Sequence, residues 1–481
     1  MIKTLLLSLF FIVYIYNDAI AHSGNPKYHV IIDTDGAVDD FRAICMFLAS
    51  NDICVLAITC SQGTLEPNSN YYKVNSLLTT LYHGGISVGI GDKINYSLPE
   101  WNSFAQKINW GNEIDTNFQN CENSSVLINR TIKDHPDKIT LIALGSLKTY
   151  SDWLKNYPEN LEKIERIIWF NNTEIEKGFN YLIDTASFNF IKKTNISLCI
   201  VSNNSNDLIC NAEYLSYLKK ANSIYAQQIY KVHNQPPVSE KMKQNHLQFW
   251  DDLLPLYLTV NILFKTEKKD NINYVSIDKS IPAGFIYETI ASILLSGIST
   301  NNRVFLSFPV DTILYKKEYA EMLKSTIEKY GEIEWKAITL TNEIHGHTGI
   351  YSIIGAKMGI RACEHFNVGV NNLKVITFAG YNPPLSCFND GIQISTGATI
   401  GQGLITVSDS VIQIPTVIFE FNRQKIKISL KNEISKQMQA DIKLGIKKYG
   451  MTDEYWIYIE KLAMKYWADF DRHEIFILEK I

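Results

Sequence analysis

The chain reads as an α/β protein: an open, mostly parallel sheet with helices, followed by a smaller α+β domain. Three observations predict this. The apolar run His29-Val30-Ile31-Ile32 has the texture of a buried strand. It ends in four carboxylates within eight residues (Asp33, Asp35, Asp39, Asp40). Gly36 loosens the turn between them, and Phe41-Arg42-Ala43-Ile44 then opens an apolar-periodic, helix-like stretch. Finally, 481 residues are too many for one ordinary core, so two domains are expected. Carboxylates at the carboxyl end of the first strand of an α/β unit sit where such sheets bind ligands. So many negative groups cannot share a small site without a cation, bound protons or strong pKa shifts. Hard oxygen donors favour Ca²⁺ or Mg²⁺ over zinc. A solvated acidic turn would account for D-x-D alone, but the strand before it and the helix after it argue for a site.

The later elements follow in order. A second strand leads into Ala57-Ile58-Thr59-Cys60-Ser61-Gln62-Gly63-Thr64-Leu65-Glu66. Ile139-Thr140-Leu141-Ile142-Ala143-Leu144-Gly145-Ser146-Leu147 reads as another buried strand and turn, which an ordinary core strand explains equally well. Gly178-Phe179-Asn180-Tyr181-Leu182-Ile183-Asp184 and Phe249-Trp250-Asp251-Asp252-Leu253-Leu254-Pro255-Leu256-Tyr257 come next, the second as a helix opening. Lys265–Asn273 is charged and polar and reads as a surface connection. Ile286–Ile298, interrupted by Glu288 and Thr289, reads as a core helix. Lys316–Tyr330 carries apolar Tyr319, Met322, Leu323 and Ile327, an amphipathic helix. The main boundary is placed near 330, with 270–330 closing the first domain or bridging, giving domains 22–330 and 331–481.

From about His29 to Lys265 these segments resemble, in order, the inosine-uridine-type nucleoside hydrolases, whose signature is D-x-D-x-x-x-D-D. The resemblance implies an open α/β fold holding Ca²⁺ and cleaving the N-glycosidic bond of ribonucleosides. It implies that Asp35 and Asp40 bind calcium, that Asp39 activates the attacking water, and that Asp33 supports the site near the ribose. Leu144, before the turn glycine, would give a backbone carbonyl to the metal. Asn180 matches the asparagine of the family's E-F-N-x-x-x-D, which holds ribose hydroxyls, but Gly178 stands where the glutamate is expected. The register that aligns Tyr257 makes Asp251 the last metal ligand. It also puts Trp250 where many members carry a proton-donating histidine and the purine-preferring branch carries a stacking tryptophan. Gln62 replaces the family's asparagine before Thr-Leu-Glu, with the same amide chemistry and a different reach. Core packing is the other reading of Trp250.

In the second half, Thr341-Asn342-Glu343-Ile344-His345-Gly346-His347-Thr348-Gly349 and the run Asn382–Gly403 resemble the FmdE-like domain, over about Trp335 to Ile428. That family shows F-H-G-H-x-C-P-G and T-G-C-T; Thr348 and Ala398 stand at two of its cysteine positions. His345, His347 and Cys387 would suit Zn²⁺ with one open position. The imidazoles read equally well as hydrogen-bonding residues at a strand-to-helix turn. Gly355, Ala356, Gly359 and Ala362 suggest a closely packed helix. Thr396–Gly403 is glycine-rich, a candidate anion cradle, without the lysine of a P-loop. Lys431–Ile481 is helical in pattern, with aromatics suited to core packing.

Composition sets the remaining bounds. Hydrophobic residues make up 46% and net charge is −4 with mixed signs, so nothing suggests nucleic acid. Residues 1–21 read as a signal peptide: Lys3, an apolar core from Leu5 to Tyr16, and an Ala19-Ile20-Ala21 cleavage site, with His22 as the mature start. An uncleaved anchor is the alternative. No later segment approaches a membrane span. Among eight cysteines no pair forms C-x-x-C; Cys121 and Cys210, in polar stretches, are the disulfide candidates. The expectation is an exported, Ca²⁺-dependent N-glycosyl hydrolase of ribonucleosides, purine-favouring, acting on a small-molecule substrate and compatible with a homo-oligomer. The rivals are a calcium-dependent nucleoside- or sugar-binding protein without turnover, and metal or redox chemistry in the FmdE-like domain.

Overall fold

A computed structural model describes residues 26–112, 121–221, 223–296, 304–305 and 307–481. The expected signal peptide and the mature start at His22 lie outside these residues. The first unit is a nine-stranded sheet in the order β4-β3-β2-β1-β5-β6-β7-β9-β8. Its strands are β1 (Tyr28–Thr34), β2 (Ile53–Cys60), β3 (Ser87–Ile90), β4 (Glu122–Asn123), β5 (Ile139–Ala143), β6 (Ile164–Phe170), β7 (Ser197–Ser202), β8 (Phe264–Lys269) and β9 (Ile272–Ile277). Every pairing is parallel except β8 with β9. β1 lies between β2 and β5, so the chain leaves it to one side and returns on the other. Such a switch opens a crevice at the carboxyl ends of the strands.

The central strands β1, β2 and β5 carry apolar runs because both of their faces are covered. Ile31 faces one buried cluster, and Val30 and Ile32 face the other. The stretch Lys265–Asn273 is an edge hairpin rather than a connection. Its exposed lysines and glutamate at β8 suit an unpaired edge and hide its strand character from a hydropathy reading.

The second unit holds a five-stranded sheet, β11-β10-β12-β13-β14, with β10 (Lys374–Thr377), β11 (Ile405–Val407), β12 (Thr416–Phe421), β13 (Gln424–Leu430) and β14 (Phe476–Lys480). The tail is two helices, Asn432–Tyr449 and Asp453–Asp469, followed by β14, so it is not wholly helical. Helix Ile350–Phe366 packs closely against Phe388–Thr396. A Cβ at Gly355 would lie 2.1 Å from the Phe388 carbonyl oxygen, and one at Gly391 2.0 Å from that of Ser352. The small residues therefore set this approach. Helix Lys317–Tyr330 makes its contacts with the second unit. Tyr319 donates to Glu460 (2.9 Å), and Tyr330 to the Ala468 carbonyl (2.9 Å). Cys45, Cys54, Cys60, Cys199, Cys210, Cys363 and Cys387 are free thiols, and Cys210 is fully buried. Among the described residues, no helix is long and apolar enough to cross a membrane.

The units meet at the amino-terminal ends of the first sheet's strands. His83 Nδ1 lies 2.6 Å from the Glu364 carbonyl, and the Gly85 amide donates to that of His365 (2.8 Å). Gln424 donates to Ser87 (2.8 Å), and Arg423 pairs with Asp134 (2.9 Å).

Candidate active site

The acidic loop is built locally. β1 ends at Thr34, and helix Val38–Ala49 begins three residues beyond Asp35, placing Asp39 and Asp40 in its first turn. One Asp40 oxygen, Oδ2, accepts three bonds: from Thr34 Oγ1 (2.6 Å), the Asp35 amide (3.0 Å) and the Gly36 amide (3.1 Å). Gly36 has φ +88°, and a Cβ there would also strike Leu65 at 2.6 Å. Two glycines from other turns hold Asp35 between them. A Cβ at Gly63 would lie 2.2 Å from its Oδ2, and one at Gly145 2.9 Å from its Cβ.

Asp251 arrives from more than 200 residues away. Its placement depends on the neighbouring pair: Arg42 donates from Nε and Nη2 to both oxygens of Asp252 (2.8 and 2.7 Å), and Nη2 also donates to the Gln248 carbonyl (2.8 Å). Both partners are fully buried, and the pair ties helix Val38–Ala49 to the turn that presents Asp251. Sequence reasoning missed this pair. An arginine set on the apolar-periodic helix was the available signal.

Ligand oxygens of Asp39, Asp40 and Asp251 lie within 4.8 Å of one another. Asp35 Oδ1, Asp40 Oδ1 and Asp251 Oδ1 are buried without hydrogen-bond partners. Burial, and then the charges of the neighbouring aspartates, hold the carboxyls of Asp35 and Asp251 well above the usual range. Burial is also the main cause of the rise at Asp39 and Asp40. Dry carboxylates that repel each other and keep unsatisfied oxygens fit a hard divalent cation.

These residues lie along a cavity of about 480 Å³. Its wall includes Trp250, as expected, together with Trp101, Phe104, Phe170 and Phe179. Trp101 and Phe179 meet edge-to-face at 4.9 Å. Asn180 lines the cavity, and its amide donates to the carbonyls of Leu144 (2.7 Å) and Phe170 (3.1 Å). Thus the Leu144 carbonyl expected on the metal also accepts from the asparagine expected on the sugar.

Two sequence expectations change. Asp33 does not line the cavity. Its oxygens are taken by Thr59 (2.6 Å) and Ser61 (2.8 Å), and burial pushes its carboxyl up to about 7. It braces the loop from beneath. Gln62 engages both ends of its amide with the chain, donating to the Tyr96 carbonyl (2.9 Å) and accepting from the Ile94 amide (2.9 Å). It pins that loop rather than facing the cavity.

Other cavity residues were missed. A Cβ at Gly178 would lie 1.7 Å from Asn171 Oδ1, so Asn171 fills the space where a side chain at 178 would start. Asn171 Oδ1 has no partner and the residue lines the cavity. His246 and Lys241 also line it.

Residues 30–273 match the family model described as inosine-uridine preferring nucleoside hydrolase, about half of the chain. The chain belongs to this family. Residues 344–469 match the model described as FmdE, molybdenum formylmethanofuran dehydrogenase operon, so this nucleoside hydrolase family member carries a fused FmdE domain. It is similar to pyrimidine-specific ribonucleoside hydrolase RihA of Salmonella arizonae, at 31% identity over 29% of this chain and 46% of that protein. RihA of Shewanella baltica is 26% identical over 35% of this chain and 57% of its own. The chain spans about half the length of the curated relatives it matches. A solved purine-preferring ribonucleoside hydrolase from Gardnerella vaginalis superimposes with TM-score 0.45 at 14% identity, covering 56% of this chain and 99% of that one.

In the FmdE domain, His345 ends helix Glu332–His345, so the triplet sits at a helix-to-helix turn rather than a strand-to-helix one. His345 Nδ1 lies 2.8 Å from Asp390 Oδ2, and its Nε2 is buried without a partner. The rings of His345 and His347 are 4.3 Å apart. Among the described residues, His345, His347 and Cys387 do not converge as ligands. Asp390, not Cys387, is the partner of His345.

Proposed function

We propose that this nucleoside hydrolase family member is an exported enzyme that hydrolyses the N-glycosidic bond of ribonucleosides, with a preference for purines. The observation carrying this reading is the cluster of buried aspartates with unpartnered oxygens beside a cavity walled by aromatic rings and amides. Asp35, Asp40, Asp251 and the Leu144 carbonyl would hold Ca²⁺. Bound there, the ion would neutralise the cluster and supply Lewis acidity. Asp39 takes the proton of the attacking water as it adds to the anomeric carbon. Positive charge grows on the sugar ring as the base departs, and the surrounding carboxylates stabilise it. Asn171 and Asn180 orient the ribose.

Trp250 stacks on the base. A purine offers it more ring area, which supports the preference. The pyrimidine specificity in the names of the curated relatives favours the opposite choice. His246, on the cavity lining, is the side chain suited to protonating the leaving base. Export rests on the signal-like residues 1–21.

The test is incubation with Ca²⁺ and a panel of purine and pyrimidine ribonucleosides, following free base and reducing sugar, with Asp39→Asn as control. Release that depends on Asp39 supports the reading and ranks the bases. Ligand-dependent thermal stabilisation without product, in calcium-loaded protein, would replace it with a binding protein.

A further inference from the structure

At the far end of the first sheet lies a second cluster, made of His29, His135 and Asp137. His29 is the second residue of β1, and His135 closes helix Ser124–Asp134. Asp137 sits in the connection to β5, which pairs directly with β1. Asp137 Oδ2 lies 3.9 Å from His29 Nδ1 and 3.8 Å from His135 Nε2, and one ligand atom from each residue falls within 4.8 Å of the others. The two imidazoles are 4.2 Å apart between centroids, tilted by 55°.

An independent observation concerns His135 alone. The residue is 7% exposed, and both of its ring nitrogens are buried without a hydrogen-bond partner. A buried imidazole ordinarily satisfies both nitrogens. We propose that His29, His135 and Asp137 form a second metal site, for a divalent transition ion of the zinc class.

Two neutral imidazoles and a carboxylate are a donor set for such an ion, with a water completing four ligands. Donors at zinc distances stand about 3.3 Å apart around a tetrahedral ion. The observed 3.8 and 3.9 Å close to that with a small swing of Asp137, whose side chain is 41% exposed. The rival arrangement, protonated histidines paired with Asp137, is opposed by burial. Burial, and then the adjacent His29 and Lys163, push His135 down to about 3, and burial also lowers His29. The site would staple the start of β1 to the connection before β5. Its His135 directly follows Asp134, whose carboxylate meets Arg423 of the second unit (2.9 Å), so the ion would also brace the edge on which that unit docks.

The test uses the tag-free full chain, stripped with chelator, held in excess Ca²⁺ and titrated with Zn²⁺ by calorimetry. One bound equivalent is expected. Asp137→Asn weakens it at least tenfold, and the double variant His29→Asn with His135→Gln removes it. His345→Asn with His347→Asn leaves it in place. The proposal is overturned if no equivalent binds, or if binding survives the double variant. It is equally overturned if binding vanishes with the His345 and His347 changes. Because replacing buried His135 risks the fold, Asp137→Asn carries the decision: an unchanged melting curve together with unchanged zinc affinity overturns the site.

Discussion

Asp39 and Asp40 are adjacent in sequence yet occupy different environments. Asp40 has one oxygen tied down by Thr34 and two backbone amides. Asp39 stands near Arg42, whose guanidinium is committed to Asp252. Under the proposed function, Asp40, anchored through Oδ2 with Oδ1 unpartnered, would serve as a ligand, and Asp39 would serve as the base. Asp39→Asn is expected to lower kcat by about 10²–10⁴-fold with little change in calcium affinity, measured by steady-state kinetics and calorimetry. Trp250→Ala is expected to cost purine substrates about 1–3 kcal/mol in kcat/KM through lost stacking, and pyrimidines less. An equal loss for both would argue that Trp250 only packs. The motif residues Asp35, Asp39 and Asp40 were legible because they share one turn. The place of Asn171 was not, because only the folded chain shows it filling the space beside Gly178.

At the scale of elements, the site is a meeting of turns at the carboxyl ends of β1, β2, β5 and β6. Each turn contributes something its own sequence hardly announces. Gly63 and Gly145 leave room for Asp35, so Gly63→Ala is expected to displace that carboxylate and weaken calcium binding by about 10–100-fold. The helix of Asp39 is anchored through Arg42 to Asp252. Arg42→Ala leaves a buried carboxylate uncompensated and is expected to cost about 3–5 kcal/mol in denaturant unfolding. If instead stability holds and only activity falls, the pair is a positioning device alone. Lys265–Asn273 shows the converse: strand β8 is so charged that pattern reading makes it a loop, whereas its pairing with β9 is decided by the partner edge.

For the whole molecule, the two units are joined away from the cavity. Their contacts gather at the amino-terminal ends of the strands, whereas the aspartates sit at the carboxyl ends, roughly 20 Å away across a seven-residue strand. One buried cluster runs from Ile31 and Leu141 through to Trp335 and Trp467, so the units share a core. Against the seam, His473 stacks on Tyr82 at 3.6 Å and bonds Glu364 (2.9 Å), with Asp471, Arg472 and Arg361 around them. Burial opposes the charge of His473, but hydrogen bonds to Asp471 and Glu364 raise its pKa. Burial likewise opposes that of Glu364, and the Arg472 charge outweighs it, lowering the pKa. A raised histidine stabilises below its unfolded value of about 6.5, and this is lost as pH rises through the folded value. A lowered glutamate stabilises above about 4.5, and this is lost as pH falls. The seam's contribution is thus greatest between about 4.5 and 6.5. His473→Gln is expected to flatten the fall in melting temperature on the alkaline side of that window, with the full chain melting in one transition by fluorescence and circular dichroism alike.

By itself, the sequence determined the order of α/β elements, the acidic loop with Asp35, Asp39 and Asp40, the cavity positions of Asn180 and Trp250, and the resemblance of each half to its family. These are short-range features: a strand's apolar run, a helix's first turn and a motif's spacing all act within about ten residues, where the chain has few alternatives. Only the tertiary structure decided which polar groups are already spent. Gln62 is consumed by its loop, Asp33 by Thr59 and Ser61, and Asp252 by an arginine 210 residues away. It also brought His29 to His135 and set Asp390 rather than Cys387 against His345. Such pairings are fixed by packing between distant segments, where each buried polar group must find a partner and the identity of that partner is written nowhere near it in the chain.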